Sequence, residues 1–340
     1  MVALTRAALI KAAISSSISS PFLNISPQQS ASDHLYTPAA AFVRKEINDI
    51  IQNQDPSLAG PILRLAFHDA TVRSIASDPS VGGADGSVRY ELDWSENRGL
   101  SKPLKVVNQV FESQNEKFAQ TCFIKESVES SEKTSSCSPL SFADTLAISG
   151  AAAVEAAQGP KIEIKMGRTD VYGADSRLLD SPIESMGERS TIITSLPSAG
   201  LDSLGLRNYF KRLGLTEAEL VALSGAHDLG RHVTLTGMPK ECLRNLTRTC
   251  LEEAPVLAPF ITKDPDTLSN RYFQTMLRWN DRDIQYGEAA FIPTDVALVV
   301  DDGLKKYVVA FAKDEQLFFR TFRNAYQKLV ESTATTKSRY

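Results

Sequence analysis

The sequence predicts a mainly α fold, and three observations carry that prediction. Apolar residues recur at helical spacing through most of the 340 residues, few segments alternate with period two, and capping signals open several periodic stretches. The first stretch, "AAAFVRKEINDIIQNQ", begins shortly after His34. "GPILRLAFHDATV" follows, with Pro61 suited to a first helical turn. A glycine-rich loop, "SVGGADGSVRYE", separates it from a helix starting near Ser101, which the polar stretch "KESVESSEKTSSCSP" is expected to break. "SFADTLAISGAAAVEAA" restarts the pattern with Ser141 and Asp144 in capping-box positions. Residues 159–203, rich in Gly, Pro, Ser and Asp, read as irregular connection. "GLRNYFKRLGL" and "TEAELVALSGAHDLG" then form a helix pair. Thr216 and Glu219 cap the second, placing Leu220, Leu223 and His227 along one stripe. "SNRYFQTMLRW" and two helices between Gly303 and Val330 complete the pattern, with no internal repeat.

Composition bounds the function. A formal charge of −4, with no dense basic block, argues against a nucleic-acid surface. No apolar run approaches the roughly 18 residues of a membrane helix. Residues 1–32 hold Arg6 and Lys11, no acid and the run "AAISSSISSPF", the composition of an organelle transit peptide or a disordered segment. A plastid is favoured over a mitochondrion, with a secretory signal as the alternative. Cys122, Cys137, Cys242 and Cys250 form no CxxC pair, which disfavours zinc and leaves open two short disulfides or four free thiols. Asn24 and Asn245 head weak glycosylation sequons.

The chemistry starts in "LRLAFHDATV". Arg64 and His68 are four residues apart and so share a helical face, in a run otherwise too apolar to hide them cheaply. A guanidinium keeps its proton while an imidazole can take one and return it, which suits a reaction that moves a proton as negative charge develops. A structural Arg–His pair is the competing reading of these two residues alone.

The fragments "LRLAFHDA", "GGADGSVRYE", "ENRGL", "SFADTLAI", "GRTD", "LSGAHDLG" and "PTDVAL" occur in one order across residues 35–332. In that order and spacing the chain resembles the plant-type haem peroxidases, most closely the ascorbate-peroxidase branch. The resemblance implies a haem-peroxidase fold over 33–335, with haem b between a distal lobe (about 35–160) and a proximal lobe (about 161–332), and a tail at 336–340. It also implies that hydrogen peroxide is reduced with a small organic donor, ascorbate or a phenolic, in defence against oxidative stress. His68 would be the distal acid–base, Arg64 the distal cation, and Phe67 the distal aromatic. Asn97 would fix the distal imidazole and Glu91 supply a supporting carboxylate. His227 would bind the haem iron, Asp295 would hold His227, and Pro197 would line the haem site. Asp69, Gly83, Asp85 and Ser87 match a distal calcium site known from secreted branches. Asp228, Thr262, Asp264 and Ser269 fall where relatives bind potassium or calcium.

The pattern departs from the family in places. Thr236 and Pro56 stand where ascorbate-binding Arg and Lys are expected, which puts ascorbate in doubt as the preferred donor. His232 lies one place before the family's second histidine. Phe260 or Ile261 replaces the proximal tryptophan, and neither is easily oxidised. No acidic manganese set accompanies Ser57 and Pro61, and Trp94 and Trp279 read as packing residues. The alternative function is a catalytically weak haem-binding or scaffold protein. A haem-based sensor, which would need His227 but not Arg64, is a third.

Overall fold

The computed structural model describes residues 37–74, 83–128, 139–173, 192–193, 196–197, 200–233, 257–261, 263–278 and 289–331. Ten α-helices occur among them: α1 Pro38–Asn53, α2 Ala59–Thr71, α3 Ser101–Val128, α4 Phe142–Ala156, α5 Ser203–Arg212, α6 Glu217–Ser224, α7 Arg271–Arg278, α8 Pro293–Val300, α9 Asp302–Lys313 and α10 Glu315–Glu331. Two antiparallel ribbons are the only paired strands described, Arg73–Ser74 with Ile192–Ile193 and Arg231–Val233 with Leu257–Pro259. The mainly α prediction therefore holds.

Local chemistry sets the helix starts. The Thr37 hydroxyl accepts from the Ala40 amide at 3.1 Å, Pro38 opens α1, and Ala39, Ala40, Val43, Ile47 and Ile51 bury one face. Thr216 and Glu219 close a full capping box on α6. α3 runs to Val128, four residues into the polar stretch, and residues 129–138 lie outside those described. One expectation needs correction. Ser141 does cap α4, but Asp144 does not return to the cap. Its carboxylate instead accepts from the Gly167 and Arg168 amides at 2.8 and 3.2 Å and pairs with the Arg168 guanidinium at 2.7 Å.

That clasp explains the "GRTD" motif. Arg168 also donates to the Val330 carbonyl near the end of α10, while Asp170 accepts from the Phe142 and Ala143 amides at the start of α4. Three chain-distant segments are tied by one buried ion pair, its side chains 1% and 5% exposed. Arg168→Met leaves Asp144 charged and buried, a loss of about 3–5 kcal/mol. Denaturant unfolding should show that drop; a loss below about 1 kcal/mol would mean that water compensates Asp144.

The helices α1 to α4 pack on one another, and α6, α7, α9 and α10 form a second packed set, with α10 also touching α2. Phe273, Phe318 and Phe322 meet edge to face in the second set, and Phe311 lies tilted against Phe273. One glycine controls a close approach. A Cβ on Gly60, near the start of α2, would come within 2.3 Å of the Leu229 carbonyl oxygen. Only glycine lets α2 meet the 3₁₀ turn Gly225–Leu229, which carries His227.

Candidate functional site

Arg64 and His68 project from α2, and each is held by the segment after the glycine-rich loop. His68 is buried, and its Nδ1 lies 2.7 Å from Asn97 Oδ1. Asn97 Nδ2 donates to the Glu91 carbonyl at 2.8 Å, so Asn97 Oδ1 must be the acceptor facing the ring. The proton therefore sits on Nδ1 and the lone pair on Nε2. Glu91 meets Asn97 through its backbone carbonyl. Burial, reinforced by the Arg64 charge, pushes the His68 pKa down to about 3 against the opposing bond from Asn97. His68 is thus a neutral base at physiological pH.

The Arg64 guanidinium donates to the Arg98 and Glu96 carbonyls at 2.9 and 2.8 Å. It faces accessible space, yet protein surrounds it closely enough to push its pKa down to about 10, helped by the Arg98 charge. It stays cationic at neutral pH. Phe67, half-buried, lies edge-on to His68 with ring centres 6.2 Å apart.

His227 lies beyond the end of α6, in the 3₁₀ turn, and so not on the helical stripe expected from the sequence. Its Nδ1 is 2.7 Å from Asp295 Oδ1, on the first turn of α8. A carboxylate can only accept, so here too Nδ1 carries the proton and Nε2 keeps its lone pair. Phe260, rather than Ile261, stacks on the His227 ring at 4.2 Å and 6°. Ile261 instead pairs through its backbone with Ala289. His232 packs against the same Phe260 ring at 4.9 Å. Pro197 is half-buried, and no described contact joins it to the two histidines.

Sequence reasoning missed one member of this group. The Tyr272 hydroxyl donates to Asp295 Oδ1 at 2.6 Å, the oxygen that also accepts from His227. A tyrosine at an apolar position of an amphipathic helix reads as core, and its partner lies 23 residues away.

On the distal side, buried Asp69 accepts from the Gly86 and Val88 amides at 3.1 and 3.2 Å, and Asp85 accepts from the Ser87 amide at 3.1 Å. Burial and the nearby Asp85 and Glu91 charges hold the Asp69 carboxyl well above the usual range. Ser87 Oγ is buried with no hydrogen-bond partner, and Gly83 adopts a left-handed φ of 90°.

The proximal cation set is different. Asp228 Oδ2 accepts from the Ser269 amide and hydroxyl at 2.7 and 3.0 Å, and Arg271 Nη2 lies 3.5 Å from it. Arg271 also pairs with Asp264 Oδ2 at 3.0 Å and donates to the Asp264 and Thr267 carbonyls. Thr262 lies outside the described residues. The Arg271 guanidinium thus lies beside both carboxylates, while Asp228 Oδ1 is buried with no hydrogen-bond partner. Even so, burial holds the Asp228 pKa up at about 6.

Among the described residues, no three His, Cys, Asp or Glu side chains converge on one point, so the distal set rests on two carboxylates with hydroxyl and carbonyl oxygens. The side chains of all four cysteines, Trp279, Thr236, Asn24, Asn245 and residues 1–32 lie outside what the structure describes.

The family model described as Peroxidase matches residues 43–314. The protein named "Putative L-ascorbate peroxidase 6" of Arabidopsis thaliana is 30% identical over 296 residues, covering 85% of this chain and 70% of the relative. "Putative heme-binding peroxidase" of Gibberella zeae is 30% identical over 315 residues, covering 86% and 78%. "Probable L-ascorbate peroxidase 3, peroxisomal" of Oryza sativa subsp. japonica is 29% identical over 299 residues, covering 88% and 81%.

Proposed function

The chain belongs to the peroxidase family of plant-type haem enzymes, and from that premise we propose that it reduces hydrogen peroxide with electrons from a small organic donor. One observation carries the reading: two imidazoles from distant parts of the chain each have Nδ1 engaged by a fixed acceptor, leaving Nε2 with its lone pair. This donor chemistry fits haem. His227 Nε2 would bind the iron and Asp295 would hold the ring and raise its basicity. His68 Nε2 would face the peroxide. The cofactor is read as haem b.

When bound, haem supplies the electron transfer that side chains cannot. The protein's part is proton movement. His68 takes a proton from one peroxide oxygen through Nε2, Asn97 keeps the ring in the correct tautomer, and His68 returns the proton to the other oxygen, which leaves as water. Arg64, tethered by two carbonyls, stabilises the negative charge on that departing oxygen.

The donor is read as ascorbate or a phenolic compound. Peroxide consumption by haem-loaded protein should be supported by ascorbate or guaiacol and not by cytochrome c, because Phe260 stands where an oxidisable aromatic would serve a protein partner. Turnover with cytochrome c alone would overturn that assignment. The setting is read as an organelle, a plastid on the composition of residues 1–32. No described helix is long and apolar enough to cross a membrane.

Asp69, Asp85, Ser87 Oγ and the Gly83 carbonyl are read as a calcium site. The partnerless Ser87 hydroxyl and the crowded carboxylates support this, since a divalent ion relieves both. Removing calcium with a chelator should lower the thermal midpoint, and calcium at about 100 times its Kd should restore ~2.7 kcal/mol. An unchanged midpoint would reduce the loop to an ordinary Asp turn.

A further inference from the structure

Among the described residues, Tyr272 is the buried polar side chain at the His227–Asp295 pair that the proton chemistry above does not use. It is fully buried, with 0% exposure. Its ring meets the His227 ring edge-on, centres 6.1 Å apart at 84°, and packs against Phe273 and Phe291. The two residues before it in sequence are both anchored. Asn270 donates to the Phe311 and Ala312 carbonyls, and Arg271 is tied to Asp264, Thr267 and Asp228. The hydroxyl cannot swing away without unpacking the start of α7.

Asp295 Oδ1 therefore accepts two short, charge-assisted bonds, 2.6 Å from Tyr272 and 2.7 Å from His227. Oδ2 accepts from the Ile292 amide at 3.0 Å. Two donors on one oxygen compete for its electron density. The stronger the tyrosine bond, the weaker the pull of Asp295 on the His227 proton, and the weaker the donor character of Nε2. Burial and the Asp295 charge hold the Tyr272 pKa well above its usual value, so the hydroxyl remains a donor.

We propose that Tyr272 is a positioning residue that moderates the proximal histidine, setting through Asp295 how strongly His227 donates to iron. The inference rests on the reading of His227 as the iron ligand. A tyrosine buried for packing alone would also seek an acceptor, so the test must separate tuning from stability.

The experiment compares haem-loaded wild type, Tyr272→Phe and a protein carrying 3-fluorotyrosine at 272, whose hydroxyl is the stronger donor. The iron–histidine stretch of the ferrous form and the haem reduction potential are measured on each. Tyr272→Phe should move the stretch to higher frequency and the potential lower; fluorotyrosine should move both the opposite way. The fluorinated protein changes no packing beyond one atom, so it keeps the test decisive where the phenylalanine variant fails to fold. A stretch and potential unmoved across the series would overturn the role of Tyr272. A wild type with no iron–histidine stretch would overturn the ligand reading instead.

Discussion

His68→Leu is expected to react with peroxide about 10²–10⁴-fold more slowly than wild type, the loss typical of removing a positioned acid–base. Haem content should stay near that of wild type, because His68 binds Asn97 and nothing on the His227 side. Leucine fills a comparable volume but leaves the buried Asn97 Oδ1 without its donor, so stability should fall by about 1–3 kcal/mol. The pH dependence follows from the same geometry. Protonation of His68 removes its lone pair, so the wild-type rate is expected to fall as pH drops through about 3. Arg64 is one cause of that low value, because its charge opposes a second positive charge nearby. Arg64→Leu should therefore shift the acid limb to higher pH. An acid limb that stays in place would mean that burial alone sets the His68 pKa.

His227→Ala is the second large effect, and it falls on the cofactor. The imidazole is fixed by Asp295 on one edge and Phe260 on one face, which leaves its Nε2 to bind the iron. Without it, the haem-to-protein absorbance ratio after gel filtration should fall several-fold. Added imidazole should restore part of it by refilling the space beside Phe260. Full haem retention in the variant would place the iron ligand elsewhere. Asp295 in that variant keeps its bonds from Tyr272 and Ile292, so the surrounding fold should survive.

The parts of the site that were legible in the sequence share a property: each lies in a short motif whose spacing already implies its geometry. Arg64 and His68 sit one helical turn apart, and Thr216 with Glu219 announces the helix that leads to His227. The less legible parts depend on partners far along the chain. Asp144 looks like a capping residue because its cap position is real, yet its carboxylate is taken by Arg168, 24 residues away. Tyr272 looks like core because its ring is core; only its hydroxyl reaches Asp295. Arg271, two residues after Ser269, places a positive charge beside the candidate cation loop, and that charge was legible in the sequence. The bond from Asn97 to Glu91 runs to a backbone carbonyl, a partner that residue identity does not encode.

The most direct measurement is a stopped-flow absorbance record of haem-loaded wild-type protein mixed with hydrogen peroxide. The ferric Soret band should shift within milliseconds to seconds and return when ascorbate or a phenol is added. Haem-loaded protein whose Soret band stays unchanged with excess peroxide would contradict the proton-shuttling role of His68 and Arg64, and the peroxidase reading with it.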